Sequence, residues 1–118
     1  MHRTLCKSKI VNAVITEKLL KYSGSIGIDE SILMASDILI GEEVHVLNVN
    51  NGERFSTYAI GEKPYSGKIV LYGPGARKGE VGDELIILSY CLMEGKESRD
   101  HKLRMITLSK NNKLKSKK

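Results

Sequence analysis

The sequence predicts a small all-β domain that closes into a barrel. Eleven glycines divide the 118 residues into short apolar runs, and these runs are rich in valine and isoleucine, which favour strands. Evidence for helices is confined to one or two short stretches. Many short strands in a chain of this length favour a closed barrel, because closure leaves no unpaired strand edge.

The strands are predicted from short apolar runs bounded by glycine, asparagine or charged residues. They are expected over residues 10–16, 26–29, 43–49, 53–60, 68–72, 84–89 and 103–108. The third of these alternates in character, which places Val44, Val46 and Asn48 on one face. The following Asn50-Asn51-Gly52 tolerates positive φ, so a hairpin is predicted between the third and fourth strands.

The helical stretches are short. Asp29 or Ser31 is expected to cap a helix over residues 30–35. A second turn is expected near residues 79–82. No internal repeat or linker divides the chain, so residues 1–109 are predicted to form a single domain.

The net charge of +5 is concentrated at the C-terminus. Residues 110–118 contain five lysines and no acid, and without them 14 basic residues balance 14 acidic ones. A nucleic-acid-binding face would leave an excess of charge on the folded body, so nucleic acid is not an expected partner. Residues 110–118 are predicted to form a basic, disordered tail.

Cysteine and histidine positions indicate neither a disulfide framework nor a metal site. Cys6 and Cys91 are expected to be free thiols, and the three histidines lack metal-ligand spacing. No apolar run has the length of a membrane span or the character of a signal peptide. A soluble, cytoplasmic protein without metal or membrane partners is therefore expected.

Two segments could carry chemistry. Gly24 and Ser25 stand just before a predicted strand, where a loop of small residues is the ordinary interpretation. Arg54, Ser56 and Tyr58 share one face of another predicted strand. Arginine suits a carboxylate and tyrosine can donate a proton, but an exposed face of mixed polar groups would have the same pattern. The residues alone leave both interpretations open.

A family resemblance adds to these observations. The chain resembles the bacterial aspartate 1-decarboxylase family in collinear positions from Arg3 to Ser89, about three-quarters of its length. The residues that carry the resemblance are Arg3-Thr4, Lys9, Val14-Ile15-Thr16, Tyr22, Gly24-Ser25, Ile28-Asp29, Asn51-Gly52, Arg54-Phe55-Ser56-Thr57-Tyr58-Ala59-Ile60 and Val81-Gly82-Asp83. The resemblance implies a double-psi β-barrel with one or two short helices, assembled as a homotetramer with active sites between subunits.

The resemblance also implies a proenzyme that cuts itself between Gly24 and Ser25, giving chains 1–24 and 25–118. Ser25 would become a covalent pyruvoyl group that forms a Schiff base with the substrate, and Tyr58 would be the proton donor. Thr57 and Tyr72 would assist processing. The implied substrate-binding residues are Lys9, Arg54, Thr57, Gly73, Pro74 and Gly75. The implied reaction converts L-aspartate to β-alanine and CO2 for pantothenate biosynthesis.

Departures from the family pattern leave alternatives. Tyr72-Gly73-Pro74-Gly75-Ala76 stands where the family usually has Asn-Gly-Ala-Ala-Ala, Leu47 where it often has tryptophan, and Val11 where it often has histidine. The chain could be an ordinary aspartate decarboxylase, a family member that acts on another amino acid, or a non-catalytic barrel that serves as a binding module. The last is disfavoured by the residues that the chain shares with the family at the implied site, namely Lys9, Tyr22, Gly24, Ser25, Arg54, Thr57 and Tyr58.

Overall fold

The structure is a computed structural model that describes residues 1–115. Its nine strands are β1 (His2–Val14), β2 (Glu17–Leu19), β3 (Ser25–Asp29), β4 (Glu43–Asn48), β5 (Arg54–Glu62), β6 (Ile69–Tyr72), β7 (Glu84–Glu94), β8 (Arg104–Ser109) and β9 (Lys113–Leu114). Two short α-helices accompany them, α1 (Glu30–Ser36) and α2 (Gly95–Asp100). Two 3₁₀ turns cover Gly73–Lys78 and Lys110–Asn112.

The strands form one sheet in the order β2-β6-β3-β5-β4-β7-β1-β8-β9. Strand β1 continues almost directly into β2, although β2 lies at the opposite end of the sheet. Between them, the Thr16 amide donates to the Ile69 carbonyl at 2.8 Å, and Thr16 Oγ1 accepts from the Ile69 amide at 3.0 Å. This connection curls the sheet back on itself, which confirms the predicted small all-β barrel.

The core lies inside this curled sheet and is built from alternate positions of its strands. Val44 and Val46 are fully buried and Asn48 is 2% exposed, which confirms the alternation predicted for this strand. The other fully buried side chains are mainly isoleucine and leucine, namely Ile10, Ile15, Ile26, Ile28, Ile32, Ile69, Leu71, Leu85, Ile87 and Leu108. β-Branched side chains suit a pleated, buried surface.

The predicted local features are largely confirmed. Strands β4 and β5 pair antiparallel through the turn at residues 49–53, as a hairpin requires. The Asp29 carboxylate accepts from the Ser31 amide at 2.8 Å, so Asp29 is the cap of α1. The turn expected near residues 79–82 contains an Asp83 to Glu80 backbone hydrogen bond of 2.9 Å. Strand β1 begins eight residues before the predicted start, because its first part pairs with the end of β7.

The predicted tail is wrong for residues 110–115. They form a 3₁₀ turn and β9, which pairs antiparallel with β8. Asn112 is 2% exposed. Its Nδ2 donates to the carbonyls of Val14 and Gly67, both at 2.8 Å, and its Oδ1 accepts from the Val14 amide at 2.8 Å. The lysines remain exposed while this asparagine anchors the backbone, so the folded domain extends past residue 109. Residues 116–118 of the predicted tail lie outside the described part of the chain.

Within residues 1–115, no helix has both the length and the apolar character needed to cross a membrane.

Candidate active site

The Gly24–Ser25 pair stands where the chain enters β3. Ser25 is the first residue of that strand, pairs with Tyr72 of β6, and is only 7% exposed. Gly24 has a φ of 110°, an angle that residues with a side chain rarely adopt. The peptide bond between them therefore joins a glycine-only conformation to a regular, buried strand.

A cavity of about 260 Å³ opens at this pair. It gathers six of the predicted site residues: Gly24, Ser25, Thr57, Tyr72, Pro74 and Gly75. Ser23, Phe55 and Ser56 complete its lining. Its size lies just below the range of pockets for drug-sized ligands, so it suits a molecule as small as an amino acid. The structure thus brings together the predicted processing residues with part of the predicted substrate-binding set.

Gly73, the seventh predicted residue of this region, packs directly on the cleavage segment. Its φ is 77°, and a Cβ atom there would lie 2.6 Å from the Tyr22 carbonyl oxygen and 2.7 Å from Gly24 Cα and N. The next residue also makes contact, since Pro74 Cδ lies 3.7 Å from the Cβ position of Gly24. The backbone of residues 72–74 therefore forms a support for residues 22–24.

Strand β5 places Tyr58 beside Ser25. Ile26 of β3 is in parallel register with Ala59 of β5, so the preceding residues, Ser25 and Tyr58, lie alongside each other on the same sheet face. Tyr58 is 42% exposed. Arg54 lies on the same face of β5, four residues before Tyr58. Neither Tyr58 nor Arg54 is among the residues that line the cavity, whereas Thr57, on the opposite face of β5, lines it.

Lys9 is on the same sheet face but far from Ser25. Registered pairs run from Lys9 to Leu88, from Leu88 to His45 and from His45 to Ser56. Strands β5, β4 and β7 separate β3 from β1. Four strand spacings of about 4.8 Å place Lys9 roughly 19 Å from Ser25 along the sheet surface. One copy of the chain does not bring this predicted residue to the cavity.

The two cations of this face have no carboxylate partner among residues 1–115. Other lysines do, for example Lys7 with Glu42 and Lys18 with Glu80, both at 2.8 Å, whereas neither Arg54 nor Lys9 takes part in an ion pair. Both are therefore available to an anionic ligand. In the same part of the chain, no three histidine, cysteine or acidic side chains cluster closely enough to hold a metal ion.

Tyr72 is held by two neighbours that the sequence did not indicate for this role. Its hydroxyl donates to Glu62 Oε2 at 2.8 Å, and its ring centroid lies 5.0 Å from that of Tyr22, with the rings tilted by 49°. Burial, together with the hydrogen bond to Glu62, raises the pKa of Tyr72 to about 12. Glu62 follows Tyr58 by four residues on β5, so the strand period of two could have placed it on the same face as Ser25.

These features define a class of protein. It is a small β-barrel with a buried Gly–Ser pair at a cavity of amino-acid size, beside a sheet face that carries unpaired cations. Such a site suits a small molecule that bears carboxylates.

Comparison with known proteins identifies the family. The sequence model of the family described as aspartate decarboxylase matches residues 1–115. The aspartate 1-decarboxylase of Thermoanaerobacter pseudethanolicus is 46% identical over 113 residues, covering 96% of this chain and 97% of that protein. That of Methylibium petroleiphilum is 45% identical over 116 residues, or 98% and 97% of the two chains. The Coxiella burnetii protein of the same name is 53% identical over 91 residues, or 77% and 82%. The chain belongs to the aspartate decarboxylase family, as the resemblance predicted, and these relatives do not favour the two alternative functions.

Proposed function

We propose that this chain is an aspartate 1-decarboxylase that converts L-aspartate to β-alanine and CO2 for pantothenate biosynthesis. The observation that carries the proposal is the Gly24–Ser25 pair, with φ of 110° at Gly24 and Ser25 buried at a cavity with Thr57. The near full-length similarity to proteins named aspartate 1-decarboxylase supports it. We also propose that the protein is located in the cytoplasm.

Maturation by self-cleavage is the first proposed step. Ser25 Oγ attacks the Gly24 carbonyl carbon, and the amide C–N bond breaks as the ester forms. Loss of the Ser25 α-proton then breaks the Cβ–O ester bond, which releases the Gly24 carboxylate and leaves dehydroalanine. Water replaces the nitrogen of residue 25, ammonia departs, and a pyruvoyl group remains as the covalent cofactor. Thr57, which lines the same cavity, is proposed to stabilise the oxyanion formed in the first attack.

The residues around Ser25 fit a pyruvoyl group at this position. Residue 25 is nearly buried at the start of β3, so a carbonyl there is largely shielded from bulk water. The carbonyl supplies an electron sink for decarboxylation. Tyr58, beside residue 25 on the same face, is proposed to return a proton to the substrate carbon. Arg54, together with the backbone of Gly73, Pro74 and Gly75, is proposed to hold the substrate.

A second copy of the chain is proposed to complete the site. Three strands separate the strand of Lys9 from that of Ser25 along the sheet of one copy. Because Lys9 does not line the cavity of its own chain, the Lys9 that serves a site is proposed to come from a neighbouring copy. This supports the proposed homotetramer, in which each site is shared between subunits.

The first test of the proposal is intact mass under denaturing conditions. The wild-type chain is expected to give fragments of 24 and 94 residues, which together make up the 118, and the larger fragment should have the N-terminal mass of pyruvoyl instead of serine. The Ser25→Ala variant should remain a single chain. β-Alanine should form from L-aspartate with wild-type protein only. An uncut wild-type chain after prolonged warming would overturn the proposal.

The shared site has its own test in mixed oligomers. Lys9→Ala and Arg54→Ala copies are each expected to have little activity. When they are coexpressed, about a quarter of the sites should pair an intact Arg54 with an intact Lys9 from the other copy. Recovery of activity in the mixture supports the shared site, whereas no recovery in confirmed mixed oligomers would place both residues on one copy.

A further inference from the structure

The segment before the cleaved bond lacks regular structure of its own and depends on residues 72–74. Residues 20–24 form no strand or helix, and Tyr22 is 60% exposed. The Tyr22 ring nevertheless packs on the Tyr72 ring at 5.0 Å, and the backbone at Gly73 lies against Tyr22 and Gly24. Residues 22–24 therefore pack against Tyr72 and Gly73.

Glu62 fixes the Tyr72 ring by a hydrogen bond across β3. The Glu62 carboxylate and the Tyr72 ring both lie over Gly27, since a Cβ atom there would overlap Glu62 Oε2 and lie 2.9 Å from Tyr72 Cε2. The absence of a side chain at residue 27 opens the space in which the two groups meet. Tyr72 then donates to Glu62 at 2.8 Å, and a hydrogen bond to a carboxylate is stronger than one between neutral groups.

We propose that Glu62 is a positioning residue for self-cleavage: it holds Tyr72, which holds Tyr22 and so fixes the Gly24 carbonyl in front of Ser25 Oγ. This inference rests on the proposed function. It assigns to Glu62 and Tyr22 a role in maturation. It also explains how tyrosine can assist self-cleavage at position 72, where the family usually has asparagine. The hydrogen bond persists at neutral and moderately alkaline pH, because the raised pKa of Tyr72, about 12, keeps the phenol protonated.

Three variants separate the hydrogen bond from the rest of the contact. Glu62→Ala removes the acceptor, and Tyr72→Phe removes the donor but keeps the ring that packs on Tyr22. Glu62→Gln keeps an acceptor oxygen without the charge. Glu53→Ala is the matched control. Glu53 directly precedes β5, and its carboxylate accepts a hydrogen bond from Lys78 at 3.1 Å instead of from Tyr72.

The readout is the rate at which freshly made protein forms the 24- and 94-residue fragments, together with the melting temperature. Glu62→Ala and Tyr72→Phe should each slow cleavage about tenfold or more, since sub-ångström misplacement of reacting groups has effects of this size. The double variant should be no slower than either single one, because both remove the same bond. Glu62→Gln should cleave faster than Glu62→Ala, because its amide oxygen still accepts the hydrogen bond, although less strongly than a carboxylate. Glu53→Ala should cleave at the wild-type rate.

The outcomes also separate this inference from the proposed function. If wild type itself stays uncut, the proposed function fails. If wild type is cut and folded Glu62→Ala or Tyr72→Phe is cut equally fast, the positioning role is wrong. Slow cleavage in Glu62→Gln, equal to that of Glu62→Ala, would also overturn it, because an acceptor at residue 62 would then not be what matters. If Glu62→Ala does not fold, Tyr72→Phe alone decides, since it loses a single hydroxyl.

Discussion

Substitution of Gly73 by alanine should slow maturation and lower the stability of the fold. The new Cβ atom would lie 2.7 Å from Gly24 Cα and N, where ordinary contact begins at 3.4 Å. The cleavage segment must therefore move by about 0.7 Å. Because a misplacement of about 1 Å can slow a positioned reaction about a hundredfold, we expect G73A to cleave roughly ten- to a hundredfold more slowly than wild type.

The stability cost has two parts. Alanine at a φ of 77° incurs a penalty of about 1–2 kcal/mol, and the close contacts add about 1–3 kcal/mol of overpacking. Gly52 provides a matched control, because its φ is 76° and no atom lies within 4 Å of its Cβ position. G52A should incur the conformational penalty alone. The difference between the two variants in the free energy of unfolding then measures the contact with residues 22–24.

Cleavage is followed by intact mass over time, and stability by urea unfolding of uncleaved protein in a Ser25→Ala background. G52A should be processed at the wild-type rate. Processing of folded G73A as fast as G52A would refute the claim that residues 72–74 support the cleavage segment. Equal destabilisation of the two variants would show that residues 22–24 move away from the new Cβ atom at no cost in free energy, and the steric argument would fail.

Two further predictions concern parts of the barrel away from the cavity. Asn112→Ala removes one buried and two partly buried hydrogen bonds to the backbone. It should lower the free energy of unfolding by about 2–4 kcal/mol, whereas Lys113→Ala should change it by less than about 0.5 kcal/mol. Equal urea midpoints of the two variants would contradict the anchoring role. Burial raises the pKa of the Asp29 carboxyl, but hydrogen bonds from Ser31, Gly67 and Tyr65 outweigh burial and hold it below its usual 3.8. The stability that ionised Asp29 contributes is thus present above about pH 4 and lost as the pH falls through the folded-state pKa. Between about pH 5 and pH 3, the melting temperature of wild type should therefore fall more than that of Asp29→Asn. Parallel losses of melting temperature would contradict this.

The parts of the fold that follow from local patterns were predictable from the sequence. Alternation in residues 43–49 and the Asn50-Asn51-Gly52 turn determine the β4–β5 hairpin, because strand period and turn conformation are local properties. The Asp29 cap of α1 follows from a side chain that accepts a hydrogen bond two residues away. The Gly24–Ser25 pair had no special local signature, and only the collinear family resemblance distinguished it from a loop.

The parts that depend on distant pairing were not predictable. Residues 2–7 of β1 are exposed or only partly buried, so no apolar alternation marks them as a strand, and pairing with the end of β7 keeps them extended. The order at residues 110–115 depends on Asn112, which binds Val14 and Gly67 far away along the chain. A lysine-rich composition predicts disorder from average behaviour, and one buried amide overrides it here.

The strand order also implies that maturation and turnover are separable. Gly24, Ser25, Thr57, Tyr72 and Glu62 lie on β3, β5 and β6 or beside them, and these three strands are neighbours in one copy. Self-cleavage therefore needs only a folded chain on the proposed mechanism. In the proposed assembly, Lys9, on β1, serves the site of a neighbouring copy. Lys9→Ala should accordingly mature at the wild-type rate and yet bind aspartate poorly, because its defect appears only once the copies meet around the substrate.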